Sequence, residues 1–162
     1  MIFIVLGSQK FQFNRLLKAI DEAKKGGAIQ EEIVAQVGYS DYIPESFQTL
    51  EFVAKEQFDD YISQSDLVIC HGGTGAIISA LKKGKKVIAL PRLSQYGEHV
   101  DDHQLQIVSM FSDLNLIEAC LDTDDLVSVI NTSRQKNYDS FQSNNAVFLG
   151  ELKNDIEKIT KP

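Results

Sequence analysis

The sequence lacks tryptophan and contains only two cysteines, and it has no long apolar run. Cys70 and Cys120 each lie within a short apolar stretch, which favours buried reduced thiols over a disulfide or a metal pair. No window approaches the roughly 20 apolar residues that cross a bilayer. The start, MIFIVLGSQKF, lacks the basic lead-in of a signal peptide. These absences predict a chain without a targeting segment or a membrane-spanning helix of its own.

Positive charge is also scarce, because 23 acidic residues outnumber 16 lysines and arginines and give a net charge of −7. A nucleic-acid partner requires a basic face that neutralises phosphates, so we expect no nucleic acid to bind. Such a composition is typical of a soluble cytoplasmic protein. The 162 residues, 43% of them hydrophobic, are expected to form one domain spanning residues 1–162.

Short runs of Ile, Val and Leu alternate with amphipathic segments of helical period. This alternation predicts an α/β protein with a Rossmann-like, three-layer arrangement, in which helices cover both faces of a parallel sheet. Residues 41–52 are expected to be irregular, and residues 131–145 to be a polar loop. The predicted strands are Ile2–Leu6, Glu32–Gly38, Leu67–Cys70, Val87–Leu90 and Leu116–Ala119, and the predicted helices are Phe11–Lys25, Lys55–Gln64, Thr74–Lys83, Val100–Leu114, Asp122–Ser133 and Ser140–Ile159.

A glycine-rich stretch, HGGTGAII, follows the strand predicted at Leu67–Cys70 and leads into a helix. The first N–H groups of a helix are unpaired and meet the positive end of its dipole, so they can bind an anion. Glycines let a phosphate approach the backbone. The spacing fits neither a GxGxxG fingerprint, a Walker loop nor a GxSxG elbow. A tight turn capped by Thr74 therefore remains the alternative.

Two further polar loops follow predicted strands: Gly7-Ser8-Gln9-Lys10 and the segment PRLSQYGEHVDDHQ, residues 91–104. Because carboxyl ends of parallel strands meet at one edge of a sheet, we expect all three loops to border one crevice. Their convergence favours a nucleotide-type ligand.

The second of these loops contains a histidine pair. In helical spacing His99, Asp102 and His103 would share a face. Two histidines four residues apart could ligate zinc, but no glutamate follows the first as in HExxH, and no third ligand is evident. A sugar-phosphate or nucleotide enzyme using this pair with a metal is one alternative, and polar capping of a surface helix is another.

Three segments carry a family resemblance as a set: MIFIVLGSQKFQFNRLLKAID, SDLVICHGGTGAIISALKKGKKVIALPR and YGEHVDDHQLQI. Together they resemble the C-terminal domain of glycosyltransferase family 28 in its single-domain form. The resemblance covers roughly residues 1–120 and implies a fold equivalent to the C-terminal half of a GT-B glycosyltransferase. It is strongest to the small subunits of bacterial exopolysaccharide and capsule glycosyltransferases, and it extends to the donor-binding subunit of the dolichol-pathway GlcNAc transferase.

The resemblance implies a UDP-sugar donor and the residues that bind it. Backbone N–H groups of the glycine loop would hold the diphosphate, and the other two loops would meet the sugar and border the pocket. The implied residues are His71, Gly72, Gly73, Thr74 and Gly75 at the diphosphate, Gly7, Ser8 and Gln9 at the pocket border, Asp102, His103 and Gln104 at the sugar hydroxyls, and Arg92, Glu98 and His99 lining the cleft.

The resemblance further implies an inverting, metal-independent hexosyltransferase without a cofactor, active with a membrane-associated acceptor-binding subunit and a lipid-linked saccharide acceptor. That partner would recruit the chain to the inner face of the plasma membrane and supply the catalytic base, with His99 as the fallback. UDP-galactose, UDP-glucose and UDP-GlcNAc are the candidate donors. Ser79 stands where UDP-GlcNAc-binding members often carry a ribose-contacting glutamate, which favours galactose or glucose. The alternative is a non-catalytic accessory subunit that activates or stabilises a membrane glycosyltransferase.

Overall fold

Six parallel strands and five α-helices make up the part of the chain that the computed structural model describes, residues 1–141. The strands are β1 (Ile2–Val5), β2 (Ile33–Gln36), β3 (Gln48–Leu50), β4 (Leu67–His71), β5 (Lys86–Leu90) and β6 (Glu118–Ala119). The helices are α1 (Asn14–Lys25), α2 (Lys55–Gln64), α3 (Thr74–Lys82), α4 (His103–Asp113) and α5 (Leu126–Gln135).

The strand order is β3-β2-β1-β4-β5-β6, and every neighbouring pair is parallel. The chain moves from β1 toward β2 and β3 in one direction, and later from β4 toward β5 and β6 in the other. The loops that leave β1 and β4 therefore diverge and open a crevice at the carboxyl edge of the sheet. The predicted α/β, Rossmann-like fold is confirmed.

The core lies on both faces of the sheet, as β1 illustrates. Ile2, Ile4 and Leu6 pack in the cluster formed with α1 and α5. Phe3 and Val5 belong to the cluster on the opposite face, which contains residues of α2, α3 and α4. Because both faces are covered, alternate residues of the strand are equally apolar, which is why the strands appear as continuous hydrophobic runs.

Helix α1 begins at Asn14, three residues after the predicted start at Phe11. The carbonyl groups of Phe11 and Gln12 accept hydrogen bonds from the guanidinium of Arg92, at 3.0 and 3.2 Å. These bonds hold the segment before Asn14 against the loop after β5, so it cannot join the helix.

Helix α4 begins at His103 and not at the predicted Val100. The carboxylate of Asp102 turns back to accept hydrogen bonds from the N–H and hydroxyl groups of Ser94, at 2.8 and 2.9 Å. His99 and Asp102 therefore precede the helix, and the prediction that they share a helical face with His103 is wrong.

The remaining differences between the predicted and the observed elements concern a short strand and the elements after β6. β3 lies within residues 41–52, which the sequence predicts to be irregular, and α5 continues to Gln135 into the predicted polar loop. Most of the last predicted helix, Ser140–Ile159, lies outside the described residues, so a single domain over residues 1–162 stays a prediction. No helix within residues 1–141 combines the length and the apolar composition needed to cross a membrane.

Buried Asp21 on α1 anchors the loop between β2 and β3. Its carboxylate accepts hydrogen bonds from the hydroxyl of Tyr42 at 2.8 Å and from the N–H groups of Glu45 and Ser46 at 3.2 and 3.0 Å. Burial raises the pKa of Asp21, but the hydrogen bonds outweigh it and lower the pKa to about 2. The ionised carboxylate therefore stabilises the fold above its ordinary pKa.

We predict that Asp21→Asn lowers the free energy of unfolding at pH 7 by about 2 kcal/mol, the scale of a buried hydrogen bond to a charged group. Because the folded pKa is depressed, this stabilisation is lost as pH falls from about 4 to about 2. Urea denaturation across this range should show the two proteins converging. Glu22→Gln, an exposed neighbour on α1, is the matched control, and a constant gap between wild type and Asp21→Asn at all pH values would contradict this role.

Candidate functional site

A cleft of about 680 Å³ lies at the carboxyl edge of the sheet, between the loops that follow β1, β4 and β5. The expected convergence of these three loops is confirmed by its walls. Ten of the fourteen predicted site residues line it: Gly7, Ser8, Gln9, His71, Gly73, Thr74, Gly75, His99, His103 and Gln104.

Four predicted residues, Gly72, Arg92, Glu98 and Asp102, are not among the residues that line the cleft. Gly72 is buried beneath Gln104, and a Cβ on Gly72 would lie 2.8 Å from that of Gln104. Asp102 is exposed, and its carboxylate is held by the Ser94 hydrogen bonds. Neither residue is positioned on the cleft wall.

The prediction that Arg92 and Glu98 line the cleft is also wrong, because both side chains are buried behind its walls. The guanidinium of Arg92 donates to carbonyl groups of the loop after β1, including that of Leu6. The carboxylate of Glu98 accepts two hydrogen bonds of 3.0 Å from Arg15 and one from the N–H of Leu93. These buried contacts join two of the loops and fix the shape of the cleft.

The start of α3 provides hydrogen-bond donors at the cleft. Gly73 is extended and precedes the first helical residue, Thr74, and no side chain caps this end. The first helical bond runs from the N–H of Ile77 to the carbonyl of Gly73. The N–H groups of Gly73, Thr74, Gly75 and Ala76 have no acceptor within residues 1–141. Unpaired amides at the positive end of a helix dipole attract an anion.

The ring of His71 occupies the space that two glycines leave free. A Cβ on Gly7, which adopts a left-handed φ of 78°, would lie 2.6 Å from Nε2 of His71. A Cβ on Gly73 would lie 2.1 Å from Cε1 of the same ring. Gly75, in contrast, has open space where a Cβ would be. Gly7 and Gly73 therefore accommodate the imidazole, and Gly75 is the glycine that leaves the approach to the amides open.

His71 is an uncharged member of the site. Burial lowers the pKa of its ring to about 3, and the nearby positive charge of Arg92 acts in the same direction. At neutral pH the imidazole therefore acts through hydrogen bonds and carries no charge.

His99 bridges two loops across the cleft. Its Nε2 lies 3.1 Å from Oε1 of Gln9, and its Nδ1 lies 3.2 Å from the carboxylate of Asp101. His103, the first residue of α4, lines the cleft, and its buried Nε2 has no hydrogen-bond partner in the described part of the chain. Over residues 1–141, no three His, Cys, Asp or Glu side chains cluster closely enough to hold a metal.

Sequence reasoning missed the cleft wall on the β2 side. Gln36, at the end of β2, donates from its amide to the carbonyl groups of Gly7 and Glu51, at 3.1 and 2.8 Å. Phe52 lines the cleft although half of its surface is exposed. A polar residue inside the apolar run IVAQV was the available signal for Gln36, whereas nothing in the sequence marked Phe52.

The fold and the cleft are those of a doubly wound α/β protein with a crevice at the carboxyl edge of its parallel sheet. The model of one family, described as the glycosyltransferase family 28 C-terminal domain, matches residues 1–159. The chain therefore belongs to this glycosyltransferase family, as its three characteristic segments predict.

Individual relatives agree with this assignment. The human "UDP-N-acetylglucosamine transferase subunit ALG13" is 26% identical over an alignment of 113 residues, and the match covers 65% of this chain but only 10% of that protein. The solution structure of an ALG13 is similar with a TM-score of 0.57 at 19% identity, covering 86% of this chain and 88% of that one. MurG of Acinetobacter baumannii has a TM-score of 0.56 at 21% identity, covering 80% of this chain and 40% of that one. At these identities the two structures establish a shared fold.

We predict opposite effects on stability for two glycines two residues apart. Gly73→Ala should lower the free energy of unfolding by about 2 kcal/mol, since the new methyl group collides with the buried His71 ring. Gly75→Ala should preserve stability or raise it by up to about 1 kcal/mol, because alanine favours the helix and meets open space. Thermal and urea denaturation measure both. Equal stabilities for the two variants would contradict the assignment of His71 to the space beside Gly73.

Proposed function

We propose that this chain binds a UDP-sugar in the cleft, as the donor-binding subunit of a two-component inverting glycosyltransferase. The supporting observation is the set of unpaired N–H groups at Gly73–Ala76, beside the uncharged ring of His71. Amides of this kind favour an anion such as the diphosphate of a UDP-sugar, whose two phosphate groups each carry one negative charge. A volume of about 680 Å³ is within the range of pockets that bury a small-molecule ligand.

The proposed reaction needs stabilisation of negative charge on the leaving diphosphate. An acceptor hydroxyl forms a bond to the anomeric carbon from the face opposite the nucleotide, and the carbon–oxygen bond to the diphosphate breaks. The electron pair stays on the diphosphate oxygen, and the proton of the acceptor passes to a base. Fixed amides and a helix dipole stabilise the developing charge without reorganising, which is the largest contribution such a site can make.

We propose that the partner subunit supplies this base. His99, the fallback within this chain, already contacts Gln9 and Asp101 through its two ring nitrogens. A base must lie within hydrogen-bond reach of the proton it accepts. Because both ring nitrogens of His99 are already engaged, a base with a free ring nitrogen is more readily supplied by the partner subunit, from the opposite side of the cleft.

The proposed partner is a membrane-associated subunit that binds a lipid-linked saccharide in exopolysaccharide or capsule biosynthesis. Val100, at the cleft, is 75% exposed, and Phe52 on the other side is 51% exposed. Exposed apolar residues at a cleft border are suited to contact with a second protein. The name of the human relative also describes that protein as a subunit.

We propose galactose or glucose as the transferred hexose because Ser79 stands where the UDP-GlcNAc-binding members of the family often carry a ribose-contacting glutamate. The hydroxyl of Ser79 lines the cleft but donates its proton to the carbonyl of Gly75, at 2.8 Å. It can only accept a hydrogen bond from a ribose hydroxyl, and a neutral acceptor is weaker than a carboxylate. The same observation favours the second candidate function, a non-catalytic accessory subunit with a weakened donor site.

Calorimetric titration with UDP, UDP-galactose, UDP-glucose and UDP-GlcNAc tests the proposal, with the chain alone and with its partner. We expect the wild type to bind UDP and at least one UDP-sugar. Gly75→Val should weaken binding of both by at least about tenfold, roughly 1.4 kcal/mol, because its side chain fills the approach to the amides, and an added Cβ there lies more than 4 Å from the atoms it could meet within residues 1–141.

The control is Lys82→Ala, an exposed position at the far end of the same helix, which should bind normally. A wild-type chain that binds no UDP, either alone or together with its partner, would contradict the proposal. If the complex keeps its transfer activity when it carries Gly75→Val, the second candidate function, a non-catalytic accessory subunit, would be favoured.

A further inference from the structure

Within residues 1–141, the walls of the cleft include one carboxylate and no lysine or arginine. Asp101 is the only acidic residue among those that line the cleft. The guanidinium of Arg92 is buried behind the wall, where it donates to carbonyl groups of the loop after β1. No cationic lysine or arginine side chain of the described cleft wall therefore balances the negative charge of Asp101.

The carboxylate of Asp101 has one oxygen engaged and the other free. Asp101 lies two residues before the first residue of α4, His103. Its Oδ1 accepts a hydrogen bond from the N–H of His103 at 3.0 Å and lies 3.2 Å from Nδ1 of His99. In the described part of the chain Oδ2 has no hydrogen-bond partner, and 38% of the side chain is exposed. The side chain is thus held at one oxygen and leaves an acceptor free beside the cleft.

The neighbouring carboxylate of Asp102 is used differently. The family resemblance implies that Asp102 meets the sugar hydroxyls, but its carboxylate accepts hydrogen bonds from the N–H and hydroxyl groups of Ser94, and it does not line the cleft. The acidic residue at this wall is therefore Asp101, one position earlier in the chain. Two adjacent aspartates, one at the cleft and one away from it, provide a matched pair for experiment.

The three parts of a UDP-sugar differ in chemistry, and so do the walls of the cleft. The wall that follows β3 is apolar and includes Phe52, Val53 and Phe58. The unpaired amides at the start of α3 suit the diphosphate. The polar loop after β5, which contains Asp101, is then left for the hydroxyl-bearing sugar, as the resemblance also implies.

We propose that Asp101 is a specificity-determining residue, which selects donors with an uncharged hexose over donors with a hexuronic acid. This inference rests on the proposed function and adds a charge criterion to it. A hexuronic acid carries a carboxylate where the hexose has a hydroxymethyl group. Two carboxylates in one cleft repel each other, and no lysine or arginine on the described walls pairs with the second. A hexose hydroxyl, in contrast, can donate a hydrogen bond to Oδ2 of Asp101.

Calorimetric titration with matched donors tests this selection, with the chain alone and with its partner. UDP-glucose and UDP-glucuronate differ only in the group named above, as do UDP-galactose and UDP-galacturonate. We expect the wild type to bind the uronic acid at least about fivefold more weakly than the hexose of its preferred pair.

Two variants locate the origin of this preference. Asp101→Asn keeps an oxygen that can accept from His103 but removes the charge, so the preference should fall below about twofold. Asp102→Asn, the same change one residue further and away from the cleft, should keep the wild-type preference. An Asp101→Asn protein that keeps the full preference would overturn the proposal, as would Asp102→Asn and Asp101→Asn proteins that lose it equally.

A second measurement uses the wild type alone and does not depend on the folding of a variant. At about 1 M salt the Debye length falls to about 3 Å, and the partly exposed Asp101 should be screened. The preference for the hexose should then shrink. A preference that is unchanged in high salt would identify shape or a lost hydroxyl contact as its cause and would overturn the proposal.

Titration with UDP separates failure of this inference from failure of the proposed function. If the wild type binds UDP but binds the two members of each donor pair equally, charge selection by Asp101 is wrong and the proposed function stands. If the wild type binds no UDP, alone or with its partner, the proposed function fails and this inference fails with it.

Discussion

The capacity of the cleft to hold an anion depends on four backbone N–H groups at the start of α3. Within residues 1–141 the fold provides no acceptor for them. Helices always leave such groups at their first turn, and most proteins satisfy them with a capping side chain or water. Here the residue before the helix is Gly73, which has no side chain to offer. The reversal of strand order between β1 and β4 then keeps the neighbouring loops apart, so the amides face open space.

The surrounding side chains shape this opening more than they contribute charge to it. Arg92 and Glu98 are buried and bind the loops to one another. His71 is neutral, because burial lowers its pKa. At the start of α3 an anion would thus meet backbone amides beside a neutral ring, both positioned by the fold. Such preorganised dipoles suit a site that must stabilise charge as a bond breaks.

The sequence predicted the sheet, its parallel character and the convergence of three loops, because periodicity and strand-end position are encoded locally. It did not predict how individual side chains are used. Arg92 looks like a ligand contact in a polar loop, but its guanidinium bonds to carbonyl groups about 80 residues away along the chain. Likewise, the glycines of the loop appeared equivalent, although only the structure distinguishes Gly75 from the two that pack against side chains.

The most direct test of the central claim is the change in backbone amide NMR shifts as UDP is added to the labelled chain. If the amides at the start of α3 receive the diphosphate, Gly73, Thr74, Gly75 and Ala76 should show the largest changes. Saturable binding of UDP that leaves these amides unmoved, and shifts residues elsewhere on the sheet, would contradict the account.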